Sequence, residues 1–129
     1  FLQFVLREFT LVPVVVGHAE AEEVAQVINS LWGGPETLVV VSSDLSHYLP
    51  YDEARRRDRS TCHAIEAMDE QGIGAADACG GLVIRGLLMA ARERGLRIAT
   101  LDLRNSGDTA GRKDGVVGYG SWELVEVSS

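Results

Sequence analysis

Two apolar runs and one amphipathic stretch organise the first third of the chain. Residues 10–17 and 37–43 are rich in β-branched side chains, a pattern typical of strands buried on both faces. Pro13 removes one ladder donor, which predicts an edge position or a bulge in the first strand. Residues 19–32 between the runs predict a helix, because apolar side chains recur at helical spacing. These are Val24, Val27, Ile28 and Leu31. A strand–helix–strand order with short connections predicts parallel strands and a right-handed crossover.

The rest of the chain predicts further alternation of helix and strand. Helices are expected over residues 51–69 and 81–94, a strand over 98–103, a polar loop over 104–115 and a last strand or hairpin arm over 116–127. This order is that of an α/β protein. We therefore predict a layered α/β/α domain with a mostly parallel central sheet.

Length and charge narrow the class of protein. The 129 residues form one unit without an internal boundary, and 46% of them are hydrophobic, enough for a buried core. The net charge of −7 argues against a nucleic-acid partner, which requires clustered Lys and Arg. The run Arg55–Arg57 lies between acidic residues and is interpreted as a solvated helix face.

Localisation follows from what the sequence lacks. Two cysteines make no secreted disulfide framework, and no apolar run reaches the roughly 18–20 residues that span a bilayer. We expect a cytoplasmic protein without a membrane partner. The chain opens at Phe1 inside an apolar segment, which predicts that it is part of a longer polypeptide. A part of a longer polypeptide would contain only part of the sheet. Its uncovered apolar surface would favour homo-oligomers.

Polar side chains crowd the end of the second predicted strand. Ligands of open α/β sheets bind beyond the carboxyl ends of the strands. The residues at this place are Ser42, Ser43, Asp44, Ser46 and His47. His47 is a candidate acid or base, because imidazole titrates near neutrality, and Asp44 could orient it or bind substrate. In the alternative interpretation, Asp44 and Ser46 cap a turn and His47 is an ordinary polar residue.

Cys79 is the second candidate for chemistry. It precedes Gly80 and Gly81 at the start of a predicted helix, where a thiol can act as a nucleophile or a metal ligand. Asp77 is the expected N-cap of that helix. The alternative is a small buried residue in a tight loop. Cys62 lies on an apolar stripe and is interpreted as core.

The remaining polar positions carry weaker signals. His18 is assigned to a helix entry turn and His63 to an exposed helix face. Ser106 and Asp108 could line a pocket or belong to a solvated turn. The chain has no Gly-x-Ser-x-Gly elbow, and the spacing of its three histidines makes no self-contained metal site.

Four segments together resemble the Memo-like proteins, called AmmeMemoRadiSam system protein B in prokaryotes. They are Phe1–Gln3 with Val12–Gly17, then Ser42–Tyr48, then Ala78–Gly80, and finally Ser106–Asp108 leading into Val116–Tyr119. The Ser-Ser-Asp-x-Ser-His motif with the downstream Ala-Cys-Gly is the most specific part. The resemblance covers essentially the whole chain and implies the carboxyl-terminal half of such a protein.

The resemblance implies a fold shared with class III extradiol ring-cleaving dioxygenases, which hold iron with two His and one Glu. In Memo-like proteins Cys takes the Glu position, which corresponds to Cys79, and the acid/base His corresponds to His47, with Asp44 in the same pocket. The two metal-binding histidines lie upstream in the family. The resemblance therefore implies Fe or Cu in the complete protein and no tight metal binding by this chain alone.

Two functional hypotheses follow. The first is a metal-binding, oxidoreductase- or dioxygenase-like pocket that acts on a small molecule. The second is a non-catalytic module that binds a peptide or a partner protein in the same cleft.

Overall fold

The computed structural model describes residues 1–109 and 111–126. Five helices occur in this part of the chain, together with a 3-10 turn at Glu70–Gly72. The helices are α1 (Leu2–Val5), α2 (Ala21–Leu31), α3 (Tyr51–Glu66), α4 (Gly81–Glu93) and α5 (Ser106–Thr109). The strands are β1 (His47–Leu49), β2 (Arg97–Asn105) and β3 (Val116–Val125). The protein is thus a mixture of helix and sheet, as predicted.

The sheet differs from the predicted one. Its three strands lie in the order β1-β3-β2, and both pairs of neighbours are antiparallel. Strands β2 and β3 pair from Arg97 opposite Val125 to Asn105 opposite Gly118, with one irregularity between Thr100 and Asp102. A mostly parallel sheet is therefore absent from the described residues. The predicted end of the last strand, Val127, lies outside them.

The predicted strands 10–17 and 37–43 are not strands in the described structure. A β-branched run favours an extended backbone, but a strand exists only where a second strand accepts and donates its ladder hydrogen bonds. Neither run has such a neighbour among the described residues, and Pro13 therefore has no sheet in which to occupy an edge. Residues 37–43 nevertheless alternate between half-buried and exposed positions, as a strand with one covered face does.

The predicted long helices are confirmed, with small changes at their ends. The carboxylate of Glu23 accepts a hydrogen bond from the Glu20 amide at 2.8 Å and so stabilises the start of α2. Helix α3 ends at Glu66 instead of residue 69, because Met68 takes a left-handed backbone conformation with φ of 52°. The predicted stripe of α2 is only partly right, since Val24 and Ile28 are buried but Val27 and Leu31 are 44% and 49% exposed.

Two clusters of buried side chains form the core. The first joins α3 and α4 to the segment before β1 and consists of Leu45, Ile65, Ile73, Ala78, Ile84 and Leu88. The second lies between α2 and α4 and consists of Val24, Ala25, Ile28 and Ala90. Both Leu45 and Ala78, each one residue from a candidate site residue, belong to the first cluster. The core therefore anchors the site.

Within the described residues, no helix combines the length and the apolar character that a bilayer crossing requires.

Candidate metal centre

Asp44, His47 and Cys79 come together in space. Their potential ligand atoms all lie within 4.8 Å of one another. The Nε2 atom of His47 lies 3.4 Å from Oδ2 of Asp44, and these two side chains are 36% and 48% exposed. Cys79 is also exposed and is not in a disulfide. The group is therefore accessible from solvent and lies on the surface of the core cluster.

Cys79 is held against Asp44 by the backbone. The Cys79 amide donates a hydrogen bond to the carbonyl oxygen of Asp44 at 3.2 Å. The Asp44 amide in turn donates to the sulfur of Cys79, also at 3.2 Å. These reciprocal contacts join two segments that are 35 residues apart. They make the position of the thiol relative to Asp44 a property of the main chain.

Ser43 completes this junction. Its Oγ accepts a hydrogen bond from the Gly80 amide at 2.8 Å, donates to the Asp44 carbonyl at 2.7 Å and lies 3.5 Å from the Cys79 sulfur. A Cβ atom at Gly80 would lie 2.8 Å from the Cβ of Ser43, so only glycine allows this close approach. The hydroxyl of Ser43 is thus occupied in connecting the two loops.

Asp77 is not the N-cap of α4, contrary to the prediction. Gly80 occupies that position, and no side chain caps the helix there. The Asp77 carboxylate instead accepts a hydrogen bond from the Gly74 amide at 2.8 Å, within its own turn. Accepting a hydrogen bond from a backbone amide of a preceding turn is an alternative use for the same short carboxylate, and the sequence does not separate the two.

The segment between Asp44 and His47 is buried although its ends are exposed. Leu45 and Ser46 are each 1% exposed. The Leu45 amide donates to the Gly118 carbonyl at 2.9 Å, and the Gly118 amide donates to the Ser46 carbonyl at 2.8 Å. His47 then begins β1 and pairs with Val117. Asp44 and His47 therefore project from the two ends of a fixed segment.

Three predicted pocket residues lie outside this group. Ser42 is exposed and has no side-chain hydrogen bond among the described residues. The Oγ of Ser106 accepts from the Val117 amide at 3.1 Å and fastens α5 to β3. Asp108 accepts from the Asn105 amide at 2.8 Å and from the hydroxyl of Tyr51. Ser106 and Asp108 therefore stabilise a loop in the described structure.

The Tyr51–Asp108 contact changes the acidity of both groups. The hydroxyl of Tyr51 donates to the carboxylate, and this lowers the pKa of Asp108, aided by the Asn105 amide. The same hydrogen bond, followed by desolvation, raises the pKa of Tyr51. Lys113 lies over the Tyr51 ring, 4.4 Å from its centroid.

The other candidates behave as their simpler interpretations predict. His18 is exposed in the bend before α2, and His63 is exposed with Nδ1 3.3 Å from a carboxylate oxygen of Glu66. Cys62 is 5% exposed and its sulfur lies 3.4 Å from the Thr100 hydroxyl. Cys62 is therefore a core residue.

Sequence reasoning missed Asp58. This residue is 2% exposed, and its Oδ1 accepts a hydrogen bond from the Ser46 amide at 3.0 Å. The signal was present in the helical spacing, because Asp58 follows Ala54 by four residues and precedes Cys62 by four on the buried stripe of α3. It was overlooked because it lies next to the run Arg55–Arg57, which was interpreted as a solvated helix face.

Comparison with known proteins agrees with the motifs. A family model described as Memo-like protein matches residues 1–123. The chain belongs to the Memo-like family. It is 35% identical to a MEMO1 family protein of Aeropyrum pernix, with 92% of this chain and 47% of that protein aligned. For the MEMO1 family proteins of Archaeoglobus fulgidus and Aquifex aeolicus the identities are 32% and 31%, with 92% of this chain and 49% of each relative aligned.

The family resemblance is thereby confirmed. The chain spans about half the length of the curated relatives it matches. That it corresponds to their carboxyl-terminal half stays a prediction.

The donor set fits a transition-metal ion. Imidazole nitrogen, thiolate sulfur and carboxylate oxygen are the ligands of zinc, copper and iron sites. Ligand atoms bonded at about 2.0–2.3 Å to a tetrahedral ion lie roughly 3.3–3.8 Å apart. The potential ligand atoms of the three residues, all within 4.8 Å of one another, are near this spacing.

Proposed function

We propose that this chain forms one wall of a metal-binding, oxidoreductase-like pocket in a Memo-like protein. The observation that carries the proposal is the convergence of Asp44, His47 and Cys79, which come from two distant segments. Backbone hydrogen bonds join these segments at Asp44 and Cys79. In the complete protein, Cys79 binds the metal and His47 acts as acid or base. Further ligands come from outside this chain.

Each residue has a defined task in this proposal. The thiolate of Cys79 favours a soft or redox-active ion over a purely oxygen-liganded one, which points to Fe or Cu. Asp44 orients the imidazole of His47, whose Nε2 faces the carboxylate at 3.4 Å. His47 takes up or releases a proton of a small-molecule or peptide substrate in the cleft. The bound metal supplies Lewis acidity or electron transfer.

A larger sheet is part of the same proposal. Residues 10–17 and 37–43 become strands of a mostly parallel sheet in the complete, layered α/β/α domain. The alternating exposure of residues 37–43 supports this, and so does the exposure of Val14 and Val15 at 55% and 96%. A structure of a full-length protein that contains this chain, with either run still unpaired, would refute this part.

The direct test is metal analysis of full-length protein that contains this chain. Cys79→Ala and His47→Ala should each lower the affinity for Fe²⁺ or Cu²⁺ by at least about tenfold. This is the lower end of the loss that follows when a residue supporting a metal ligand is changed. The chain offers a matched control for each variant. Cys62→Ala removes the other cysteine, which lies in the core, and His63→Ala removes an exposed histidine of α3.

The outcomes separate the two functional hypotheses. Unchanged metal content and redox activity in both site variants would refute the metal pocket. Binding of a peptide that persists in excess chelator would favour the non-catalytic binding module. A loss of metal equal to that of the control variants would show only general destabilisation.

A further inference from the structure

Asp58 is the only fully buried acidic residue in the described part of the chain. Burying a carboxylate is unfavourable unless hydrogen bonds stabilise it. The carboxylate of Asp58 accepts the amide of Ser46, a residue 12 positions earlier and directly before His47. The buried carboxylate of Asp58 is therefore hydrogen-bonded to the segment that carries Asp44 and His47.

Strand β3 holds the same segment from the other side. Gly118 accepts from the Leu45 amide through its carbonyl and donates its amide to the Ser46 carbonyl. A Cβ atom at Gly118 would lie 2.1 Å from Oδ2 of Asp58, so the carboxylate occupies the space that a side chain would need. The absence of a side chain at residue 118 is thus matched to the position of Asp58.

Leu45 and Ser46 are consequently clamped between α3 and β3. Asp44 immediately precedes this clamp and His47 immediately follows it. The Asp44 amide, which donates to the sulfur of Cys79, lies two residues from the amide that Asp58 binds. A change at Asp58 therefore reaches both ends of the segment through the main chain.

We propose that Asp58 is a positioning residue that holds Asp44 and His47 in register with Cys79. The inference rests on the proposed function for its consequence, which is metal affinity, but its geometric content is independent of any metal. Asp58 touches neither a metal nor a substrate in this proposal. It acts through the backbone of Ser46.

Hydrogen exchange of single amides tests the proposal on the 129-residue chain without metal. Asp58→Ala should raise the exchange rate of the Asp44 amide about tenfold or more relative to core amides of α4. The reason is that the Ser46 amide, two residues away, loses its hydrogen bond to the Asp58 carboxylate and no longer holds the segment. Asp58→Asn keeps an acceptor oxygen and should hold that ratio within about threefold of the wild type.

Ile28→Ala is the control for general destabilisation. Ile28 is buried between α2 and α4, away from the Asp44–Cys79 junction. It should raise exchange in α2 and α4 without a specific rise at Asp44. A merely structural role of Asp58 would raise exchange in core amides and at Asp44 alike. An Asp58→Ala variant without a rise at Asp44 beyond that of the core amides would overturn the proposal.

If Asp58→Ala does not fold, Asp58→Asn decides alone. A folded Asp58→Asn variant that loses protection at Asp44 refutes the acceptor role, and retained protection supports it.

A titration with Co²⁺ then separates this inference from the proposed function. Asp58→Ala should weaken Co²⁺ binding at least about tenfold, as outer-shell changes do. The titration uses full-length protein that contains this chain, because further metal ligands come from outside it. Wild-type full-length protein that binds no Co²⁺ would count against the proposed function, while the exchange ratios would still decide the role of Asp58. Wild-type Co²⁺ affinity in Asp58→Ala would overturn the positioning role.

Discussion

Ser43 and Ser46 belong to one motif, but their hydroxyl groups have opposite surroundings. The Oγ of Ser43 has three polar neighbours, among them the Gly80 amide and the Asp44 carbonyl. The Oγ of Ser46 is buried and has no hydrogen-bond partner among the described residues. A buried hydroxyl without a partner destabilises the folded state, whereas a bonded one stabilises it modestly.

The alanine variants of Ser43 and Ser46 should therefore differ in their effect on the free energy of unfolding. Ser43→Ala is expected to lower the free energy of unfolding by about 1 kcal/mol, because the Gly80 amide loses its acceptor. Ser46→Ala should leave that free energy unchanged or raise it. Urea unfolding of both variants checks this, and a larger loss in Ser46→Ala than in Ser43→Ala would contradict it.

Tyr51 should make stability depend on pH at both extremes. The lowered pKa of Asp108 means that its contribution is present above the unfolded carboxyl pKa and is lost as the pH falls through the folded value. The raised pKa of Tyr51 means that its contribution is present below the unfolded phenol pKa and is lost as the pH rises through the folded value.

Tyr51→Phe removes this hydrogen bond, and with it the phenol and the largest cause of the lowered pKa of Asp108. Its stability deficit relative to the wild type should be largest near neutral pH and should shrink in acid, where Asp108 is protonated. Thermal unfolding from pH 2 to pH 8 measures the difference. A deficit that does not change across this range would show that the contact with Asp108 is not its source.

At the scale of elements, α2 and α4 approach each other closely at Gly86. A Cβ atom at residue 86 would lie 2.5 Å from Cγ1 of Val24 and 3.0 Å from the carbonyl oxygen of Ala21. Glycine is otherwise unfavourable in a helix, by about 1 kcal/mol relative to alanine. The packing between the helices therefore outweighs the local propensity.

Gly86→Ala should accordingly lower stability, despite the better helix former. Overpacking of this kind typically costs about 1–3 kcal/mol. Ser60→Ala, at an exposed position of α3, is the control and should stay within about 0.5 kcal/mol of the wild type. Denaturant unfolding of the two variants is the measurement, and a stabilised Gly86→Ala would refute the close packing.

At the scale of the whole molecule, the two unpaired apolar runs expose large apolar side chains. Val15 and Leu38 of these runs are 96% and 70% exposed, and Phe4 of α1 is 97% exposed. Monomeric proteins rarely expose large contiguous apolar patches. We therefore expect the isolated 129-residue chain to self-associate, in line with the homo-oligomer predicted from the sequence.

Sedimentation velocity over a range of concentrations tests this expectation. The wild-type chain should sediment faster as concentration rises, and Val15→Lys combined with Leu38→Lys should shift it toward the monomer. Ser60→Lys adds charge at an exposed position outside the apolar runs and serves as the control. A wild-type chain that stays monomeric throughout would contradict the prediction.

The sequence by itself determined the local features of this protein. Helices α2, α3 and α4 follow from apolar spacing and their stop signals, because these interactions act over a few residues. The family follows from short motifs, and the motifs include the three residues that converge in the structure. The burial of Asp58 was also predictable from the sequence, because Asp58 shares the buried face of α3 with Ala54 and Cys62, and residues four apart lie on one face of a helix.

Only the tertiary structure decided which extended segments pair and which polar groups meet. Residues 37–43 have strand-like composition, yet a ladder needs a partner strand, and no property of the run itself supplies one. Likewise, the amide of Asp44 meets the sulfur of Cys79 across 35 residues, and Asp58 meets Ser46 across 12. Such contacts depend on how helices and strands pack together, whereas sequence patterns report only the preferences of neighbouring residues.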